Sequence, residues 1–371
     1  MFSGSYEPDD VTFLLKPVQM APTPLEEKER LIQSGQRHYS EMIGVEALPS
    51  PRYLRVFHES MTHVRARFAR HLLLLARLIA DARRGEITLA SLARAGTPIG
   101  VILGRVLKQF LKRPARHYSI SIIRDRGIDE NALRFILARH APESVVFVDG
   151  WTGKGVIAQE LRKSVAGFNE RHGVGLDPGL FAVADLSGTA ACAATTEDYL
   201  IPSAILGCTI SGLVSRSILN SAVVGPSDFH ACVFYEEYRG ADLSRWFVDE
   251  LTRDVGQVSS LPPPPSPPCE GGAAGGVAGW KPTPRDDNRS TAFLRNVMRE
   301  FKIRNVNFIK PGVGEATRVL LRRVPDLLIL RDPTLPDVAH LRLLALEKNV
   351  PIRVDPALPY LATALIKEID G

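Results

Sequence analysis

The stretch of residues 145–155 constrains the fold of this 371-residue chain more than any other. Four apolar residues lead into Asp149, and a short loop of small residues follows. Such an apolar run predicts a buried parallel strand, and the spacing after the loop predicts a helix from Val156. Backbone N–H groups in a loop of small residues at a helix N-terminus are suited to bind phosphate. Asp149, at the carboxyl end of the strand, would face the ligand crevice of an open α/β sheet.

A second segment repeats this pattern of strand, glycine-bearing turn and helix. The strand is predicted over 87–92 and the helix over 99–111. In the turn between them, Arg94 and the backbone of Gly96 and Thr97 are candidate ligands for a second anion. Two such turns in succession predict an α/β fold with a doubly wound, mostly parallel sheet. The first turn alone is also compatible with a tight strand-to-helix connection that binds no ligand, and Arg94 alone is compatible with an ordinary surface arginine.

The two turns resemble the pyrophosphate loop and the phosphoribosyl-pyrophosphate (PRPP) loop of the phosphoribosyltransferase family. The resemblance implies a type I phosphoribosyltransferase-like fold, in which a base-like nitrogen nucleophile displaces pyrophosphate from PRPP and Mg²⁺ bridges the substrate oxygens. It places the 5′-phosphate on Thr152, Gly153, Lys154 and Gly155, and pyrophosphate on Arg94, Gly96 and Thr97. Asp149 would contact the ribose hydroxyls and the Mg²⁺, and Gly150 stands where the family has a second acid.

The family also places a mobile hood between these two loops. The resemblance gives Arg124 and Arg126 a catalytic role, in which they close over the leaving pyrophosphate and exclude water. The segment precedes Asp129, which is the predicted N-cap of a helix that ends near Leu137. Without the resemblance, the same residues describe an ordinary charged turn.

Composition and charge limit the class of protein. The chain is 45% hydrophobic and 23% charged, as globular proteins are, and no apolar run is long enough to span a bilayer. The N-terminus lacks the basic-then-apolar pattern of a secretory signal, so a cytoplasmic protein is expected. The four cysteines show no metal-ligand spacing, which argues against a zinc ribbon and against a disulfide scaffold.

Residues 256–288 are rich in proline and glycine and predict a disordered linker. They separate a predicted phosphoribosyltransferase-like domain over 1–255 from a domain over 289–371, which we expect to be a small α/β/α sandwich with a helix over 360–369. The second domain carries 14 Lys/Arg and 9 Asp/Glu, so its net charge of +5 equals that of the whole chain. A basic excess of this size is compatible with nucleic-acid binding.

The glycine-rich segment at 310–318 resembles the turn of the Pelota-type RNA-binding fold. By this resemblance the RNA-binding candidates are Lys310, Gly312, Gly314, Glu315 and Arg318. The helix start would hold RNA phosphate, the two cations would pair with phosphates, and Glu315 would accept hydrogen bonds from a base edge. A glycine turn capped by Glu315, with no ligand, is the alternative.

A phosphoribosyltransferase-like domain followed by a Pelota-like domain resembles a bacterial family found with tellurite-resistance and stress operons. Some members of that family carry the name cysteine protease StiP. We therefore predict a PRPP-dependent transferase with Mg²⁺ that makes a modified nucleoside, with RNA bound by residues 289–371. One alternative is a cysteine protease that uses Cys208 and His230, and another is a non-catalytic, nucleotide-sensing RNA-binding protein. The sequence does not identify the acceptor or the RNA. It also leaves the oligomeric state open, and a homodimer is one possibility.

Overall fold

The structure, a computed structural model, describes residues 1–259 and 287–368. These residues form two compact units: the first comprises 1–21, 65–196 and 206–259, and the second comprises 22–64, 197–205 and 287–368. Most of the predicted linker, together with Cys269, lies outside the described residues, and the predicted domain boundaries stay predictions. None of the helices in the described ranges combines the length and the apolar content that a bilayer crossing requires.

The secondary structure alternates between helices and strands along most of the chain. The helices are α1 Leu25–Gln33, α2 Pro51–Ala82, α3 Thr97–Gln109, α4 Glu130–Leu137, α5 Val156–His172, α6 Ser244–Val258, α7 Asp287–Glu300, α8 Val313–Arg322 and α9 Ala339–Glu347. The strands are β1 Thr12–Leu14, β2 Lys16–Pro17, β3 Ile87–Leu92, β4 Ala115–Ile120, β5 Ile122–Ile123, β6 Gly127–Ile128, β7 Val145–Thr152, β8 Leu180–Asp185, β9 Cys192–Thr195, β10 Ala231–Cys232, β11 Ile309–Pro311, β12 Pro325–Leu330, β13 Ile352–Val354 and β14 Ala362–Ile366.

The first unit is built on a six-stranded parallel sheet with the order β1-β4-β3-β7-β8-β9. Strands β3, β7 and β8 are buried at every position, as expected where helices cover both faces of a parallel sheet. The chain adds β4 on one side of β3 and β7 on the other, so the direction of winding reverses between β3 and β7. Ligands of open α/β sheets bind outside the carboxyl ends of the strands at such a reversal.

Helices lie on both faces of this sheet because successive side chains of a strand point to opposite sides. From β3, Ala90 and Leu92 join a core that α4 and α5 complete. Leu89 and Ser91 point the other way, toward α3, where they approach glycines of that helix. Helix α6 packs against α3 on this second face.

The second unit contains a four-stranded sheet with the order β11-β14-β12-β13. Strand β14 is antiparallel to both of its neighbours, and β12 and β13 are parallel. Helix α7 packs on this sheet through a cluster in which Val297 meets Ile309 and Leu365. Helix α8 contacts β11, β12 and β14, and it packs against α9.

Several local predictions are confirmed. The strand predicted over 87–92 is β3, and the mostly parallel α/β sheet of the first unit is as expected. Asp129 caps α4, since its Oδ1 accepts a hydrogen bond from the Ala132 N–H at 3.1 Å.

Two local predictions are wrong. The strand after Val145 does not give way to a loop beyond Asp149 but continues through Thr152, because β8 pairs with it as far as Thr152 and Asp185. The helix predicted over 360–369 is instead strand β14, since its residues pair with β11 and β12 on both sides. Tertiary pairing overrides the sequence pattern there, as it often does in short apolar runs.

Candidate functional site

The turn that follows β3 lies at the carboxyl end of the sheet, where the winding reverses. The Gly96 N–H donates to the Leu92 carbonyl at 2.9 Å, and the Thr97 N–H donates to the Arg94 carbonyl at 3.1 Å. A side chain at Gly96 would come within 2.9 Å of the Leu92 and Val148 carbonyl oxygens, so this close approach of β3 to β7 requires glycine. The backbone donors predicted to bind pyrophosphate therefore make hydrogen bonds within the turn.

The Arg94 side chain is only 6% exposed, and its Nη1 donates to the Val214 carbonyl at 3.0 Å. The Thr97 hydroxyl is also buried, 2.7 Å from the Ser119 Oγ. A hydrogen bond thus connects the end of β3 with the chain segment around Val214. A pyrophosphate role for Arg94 remains a prediction.

The ends of β7 and β8 also meet at this edge. Asp149 is buried, and its Oδ1 accepts a hydrogen bond from the Gly150 N–H at 2.7 Å. Asp185 accepts hydrogen bonds from the backbone N–H groups of Ser187, Gly188 and Ala190. The Asp185 carboxylate therefore orders its own loop, and Asp149 lies within β7, three residues before the end of that strand.

The loop predicted to bind the 5′-phosphate is close to the loop after β8. The Thr152 Oγ1 lies 3.2 Å from the Ser187 Oγ. Gly155, at the start of α5, has φ +76°, and a side chain there would come within 2.6 Å of the Thr189 Oγ1. Gly153 and Lys154 lie between them and are half-buried.

Arg124 and Arg126 belong to a small antiparallel hairpin of β5 and β6. Arg124 pairs with Asp125 at 3.0 Å, and Arg126 is exposed. The Asp125 N–H donates to the Glu160 Oε2 at 2.8 Å, so the hairpin tip is attached to α5. The catalytic role that the resemblance gave these arginines is not tested by this placement.

A strained segment of irregular backbone carries Cys208. Gly207 has φ −83° and ψ −117°, and a short 3₁₀ helix, Cys208–Ile210, follows it. Gly212 and Leu213 both have positive φ, +79° and +60°, which for a bulky side chain such as leucine is a genuine outlier. The Cys208 carbonyl accepts hydrogen bonds from the Ser211 and Leu213 N–H groups, both at 3.0 Å.

The N-terminal segment holds this strained segment in place. The Tyr6 hydroxyl donates to the Ile210 carbonyl at 3.1 Å, and the Ser5 N–H donates to the Gly212 carbonyl at 3.2 Å. The Gly212 N–H donates to the Ser244 Oγ at 2.8 Å, and Tyr6 leaves no room for a side chain at Gly212. Sequence reasoning missed these contacts because the partners lie far apart in the chain and show no periodic pattern.

His230 immediately precedes β10 and has two close partners. Its Nδ1 is 2.7 Å from the Ser121 Oγ, and its backbone N–H donates to the Asp129 Oδ2 at 2.6 Å. Burial lowers the pKa of His230, and the nearby charge of Asp129 opposes this effect. Ser121, which lies between β4 and β5, was not predicted, since a single serine carries no sequence signal.

The segment that follows Cys208 pairs with the residues that follow His230. Val214 pairs with Phe234, and the Leu213 carbonyl accepts the Tyr235 N–H, so the Cys208 segment meets this strand near Phe234. The ring of His230 contacts Ser121.

Cys232 is the other buried thiol of this region. It lies in β10, which pairs with β2, and burial raises the pKa of its thiol far above the usual range. Within residues 1–259 and 287–368, no three or more His, Cys, Asp or Glu side chains are grouped so as to hold a metal ion.

The predicted RNA-binding residues lie together at the start of α8. Gly312 has φ +90°, and its N–H donates to the Ala362 carbonyl at 2.8 Å. Glu315 pairs with Arg318 at 2.9 Å and lies 3.9 Å from the Lys310 Nζ. Gly314 is buried in the first turn of the helix. The two cations thus share one carboxylate, and their proposed RNA contacts stay predictions.

Comparison with known families gives two matches along the chain. Residues 4–252 match the family described as tellurite-like stress resistance cysteine protease StiP. Residues 288–368 match the family described as PELOTA RNA binding domain. A curated protein of Acinetobacter baylyi named "Cysteine protease StiP" is 41% identical over 380 residues, covering 99% of this chain and 95% of that protein.

Two solved structures, both of aspartic acid mutants described as HPRTs, resemble this chain only weakly. The asparagine mutant is 13% identical with a TM-score of 0.25, over 35% of this chain and 75% of that one. The alanine mutant is 13% identical with a TM-score of 0.27, over 47% of this chain and 94% of that one. Similarity at this level supports no argument about fold or function.

The prediction of a PRPP-dependent phosphoribosyltransferase is wrong. The matching family and the Acinetobacter relative are both described as cysteine proteases, which are hydrolases and not transferases. The binding of Mg²⁺, and the contacts of Asp149 with Mg²⁺ and the ribose hydroxyls, were expected only as parts of that reaction. Both stay predictions.

The alternative of a cysteine protease agrees better with these matches. The first match spans more than half of the chain, and the relative is similar from end to end. The chain therefore belongs to the StiP family of tellurite-like stress resistance cysteine proteases.

Proposed function

We propose that this chain is a thiol-dependent peptide hydrolase of the stress response, with Cys208 as its nucleophile. The observation that carries the proposal is the 41% identity, over 99% of the chain, to a protein named a cysteine protease. In such chemistry a thiolate attacks the peptide carbonyl, a base accepts and returns the proton, and N–H donors stabilise the oxyanion. The chain must therefore offer one reactive cysteine among its buried thiols.

Backbone strain favours Cys208 over Cys232 as that cysteine. Strained φ/ψ values persist only where surrounding structure holds them, and they concentrate at active sites. Leu213, five residues after Cys208, has such a value. Arg94 additionally ties this segment to the carboxyl end of β3, which is where open α/β sheets bind ligands. Cys232 has the properties of an unreactive core thiol, because burial opposes its ionisation.

His230 is the proposed base because Ser121 orients its ring through Nδ1, as a third group orients the base in other nucleophilic enzymes. Proton transfer requires the two side chains to come within hydrogen-bonding distance. The His230 ring contacts Ser121 in this structure, so the proposal includes a movement that brings the ring and the Cys208 thiol together on substrate binding.

The test is cleavage of fluorescently labelled casein by the purified full chain and by three variants. Cys208→Ala and His230→Ala should each lower the rate by about a hundredfold or more, whereas Cys232→Ala should stay within about twofold. Iodoacetamide should inactivate the wild type and the Cys232 variant alike. Undiminished cleavage by Cys208→Ala would remove that cysteine from the proposal. Undiminished cleavage by His230→Ala would assign the base elsewhere.

We further propose that the second unit binds RNA at the start of α8. Support comes from the match of residues 288–368 to the PELOTA RNA binding domain and from the cations beside the glycine turn. Lys310→Ala and Arg318→Ala should weaken binding of a fluorescein-labelled RNA and reduce its salt dependence. Arg342→Ala, which removes an exposed cation of α9, is the matched control. Equal weakening by all three changes would indicate non-specific attraction instead.

The finer features of the fold and cell location are likewise proposed. The doubly wound, type I phosphoribosyltransferase-like form of the sheet is supported by the reversal of strand order between β3 and β7. The small α/β/α form of the second unit is supported by its four-stranded sheet. A cytoplasmic location and a homodimer stay proposals, which fractionation and light scattering would test.

A further inference from the structure

The chain between β9 and Cys208 carries an acidic residue that is attached to the second unit. Residues 197–205 form part of that unit. The Asp198 Oδ1 accepts a hydrogen bond from the Val313 N–H at 2.9 Å, and its Oδ2 accepts one from the Leu361 N–H at 2.8 Å. Both carboxylate oxygens are thus held by backbone N–H groups of the second unit.

These two donors stand at the glycine turn for which RNA binding is proposed. Val313 is the first residue of α8, and Gly312 before it adopts the positive φ that the turn requires. A helix start has unsatisfied N–H groups and a positive potential, and both favour an anion. In this structure the anion is supplied by the chain itself, in the form of the Asp198 carboxylate.

Two further hydrogen bonds hold the same segment. The Leu200 N–H donates to the Asp337 Oδ1 at 3.3 Å, and the Tyr53 hydroxyl donates to the Ile205 carbonyl at 3.1 Å. Burial, with the nearby charge of Asp337 adding to it, raises the pKa of Asp198 to about 6. Burial thus disfavours the ionised carboxylate at this place, whereas the hydrogen bonds from the Val313 and Leu361 N–H groups favour it.

We propose that residues 197–205 are an internal ligand of the second unit, and that an RNA phosphate displaces Asp198 from the Val313 and Leu361 N–H groups. A phosphate presents two non-bridging oxygens to the donors that the two carboxylate oxygens now occupy. RNA binding and attachment of the segment are then mutually exclusive. The inference rests on the proposed RNA site. The inference also links RNA binding to the proposed protease. Cys208 follows Ile205 by three positions, so release of residues 197–205 frees the chain segment that leads to the nucleophile.

The test uses the full chain and a fluorescein-labelled, mixed-sequence, single-stranded RNA. Hydrogen exchange followed by mass spectrometry should show faster exchange in residues 197–205 when RNA is added, and slower exchange in residues 310–318. Asp198→Asn keeps the shape of the side chain but removes its charge and one acceptor, so it should bind this RNA about fivefold more tightly or better. Inorganic phosphate in place of RNA distinguishes a general anion effect from an RNA effect.

Glu197→Gln is the matched control, because it removes the same charge from the adjacent, exposed residue. Its RNA affinity should stay within about twofold of the wild type. Unchanged exchange over 197–205 on RNA binding by the wild type would overturn the proposal whether or not the Asp198 variant folds. Equal tightening by both variants would also overturn it, since net charge would then explain the effect. The two proposals can fail separately. If RNA releases the segment but the Cys208→Ala variant still cleaves casein, the protease assignment is refuted and this inference stands.

Discussion

The Arg94 guanidinium donates a hydrogen bond from Nη1 to the Val214 carbonyl at 3.0 Å, joining the end of β3 to the segment that carries Cys208. The sequence pattern placed Arg94 beside a phosphate. In the structure its side chain is buried, with an acceptor 120 positions further along the chain. Arg94 is thereby a candidate for holding the strained segment in its active shape.

Replacing Arg94 by methionine tests this relationship. The change keeps the length of the side chain but leaves the Val214 carbonyl without this donor, which should lower the free energy of unfolding by about 1–3 kcal/mol. If the segment carries the nucleophile, casein cleavage should also fall. Urea denaturation and the cleavage assay give the two quantities. Arg126→Met, at an exposed position, is the control and should stay within about 0.5 kcal/mol of the wild type.

Two glycines of α3 should respond in opposite directions to alanine. A side chain at Gly100 would lie 2.6 Å from the His117 Cε1 and 2.9 Å from the Ser91 Cβ. His117 cannot give way, because hydrogen bonds of both ring nitrogens hold it in the core. Gly100→Ala should therefore destabilise the protein by about 1–3 kcal/mol.

Gly104→Ala is the counterpart, because its new methyl group would meet Leu89 at 3.8 Å, an ordinary contact. Alanine is the better helix former by about 1 kcal/mol, so this change should be neutral or stabilising. Thermal unfolding of both variants compares them directly. Destabilisation of similar size at both positions would contradict the packing described for His117.

Predictions from the sequence succeeded where the signal is local. Strand β3, the helix that follows it and the cap at Asp129 each depend on neighbouring residues, so patterns of apolar spacing and capping were sufficient. Strand β14 failed because a short buried apolar run fits a strand and a helix equally well. The distant pairing with β11 and β12, which decides between them, leaves no trace in the run itself.

The candidate site depends on contacts that no local pattern reports. The strain at Leu213 and the attachment of Gly212 to Ser5 and Ser244 follow from packing between distant segments. The turns at the strand ends resemble phosphate-binding loops, but similar turns occur in proteins that catalyse different reactions. The prediction of a transferase failed at this step, because similar turns do not specify the reaction.

Acidification should destabilise the protein through His117. Burial lowers the pKa of this residue to about 4, from an ordinary value of about 6.5. Between these values the unfolded chain binds a proton that the folded protein does not. The contribution of His117 to the free energy of unfolding is therefore fully present above about pH 6.5, and it is lost as the pH falls toward 4. The difference amounts to about 3 kcal/mol for this one residue.

His117→Gln provides the comparison, since an amide can still form hydrogen bonds but does not titrate in this range. The variant should be less stable at pH 7, yet its free energy of unfolding should change less between pH 7 and pH 4. Urea denaturation across this range measures both slopes. Identical slopes would show that His117 is not the group responsible. Burial also lowers the pKa of His340, to about 3. Acidification should therefore cause a similar loss of stability in the second unit, and this loss should be the same in the wild type and in His117→Gln.

The second unit should depend on an ion pair between α1 and the end of α8. Glu29 is fully buried, and both of its oxygens accept hydrogen bonds from Arg323, one of them at 2.8 Å from Nη2. Glu29→Gln removes the charge and leaves the Arg323 guanidinium poorly compensated, which should cost about 1–3 kcal/mol. Hydrogen exchange over residues 25–33 and 313–323 should accelerate together, because the pair joins these two segments. Glu27→Gln changes the same charge at an exposed position of α1 and should leave both segments unaffected. Faster exchange confined to α1 in the Glu29 variant would mean that this ion pair does not hold α8.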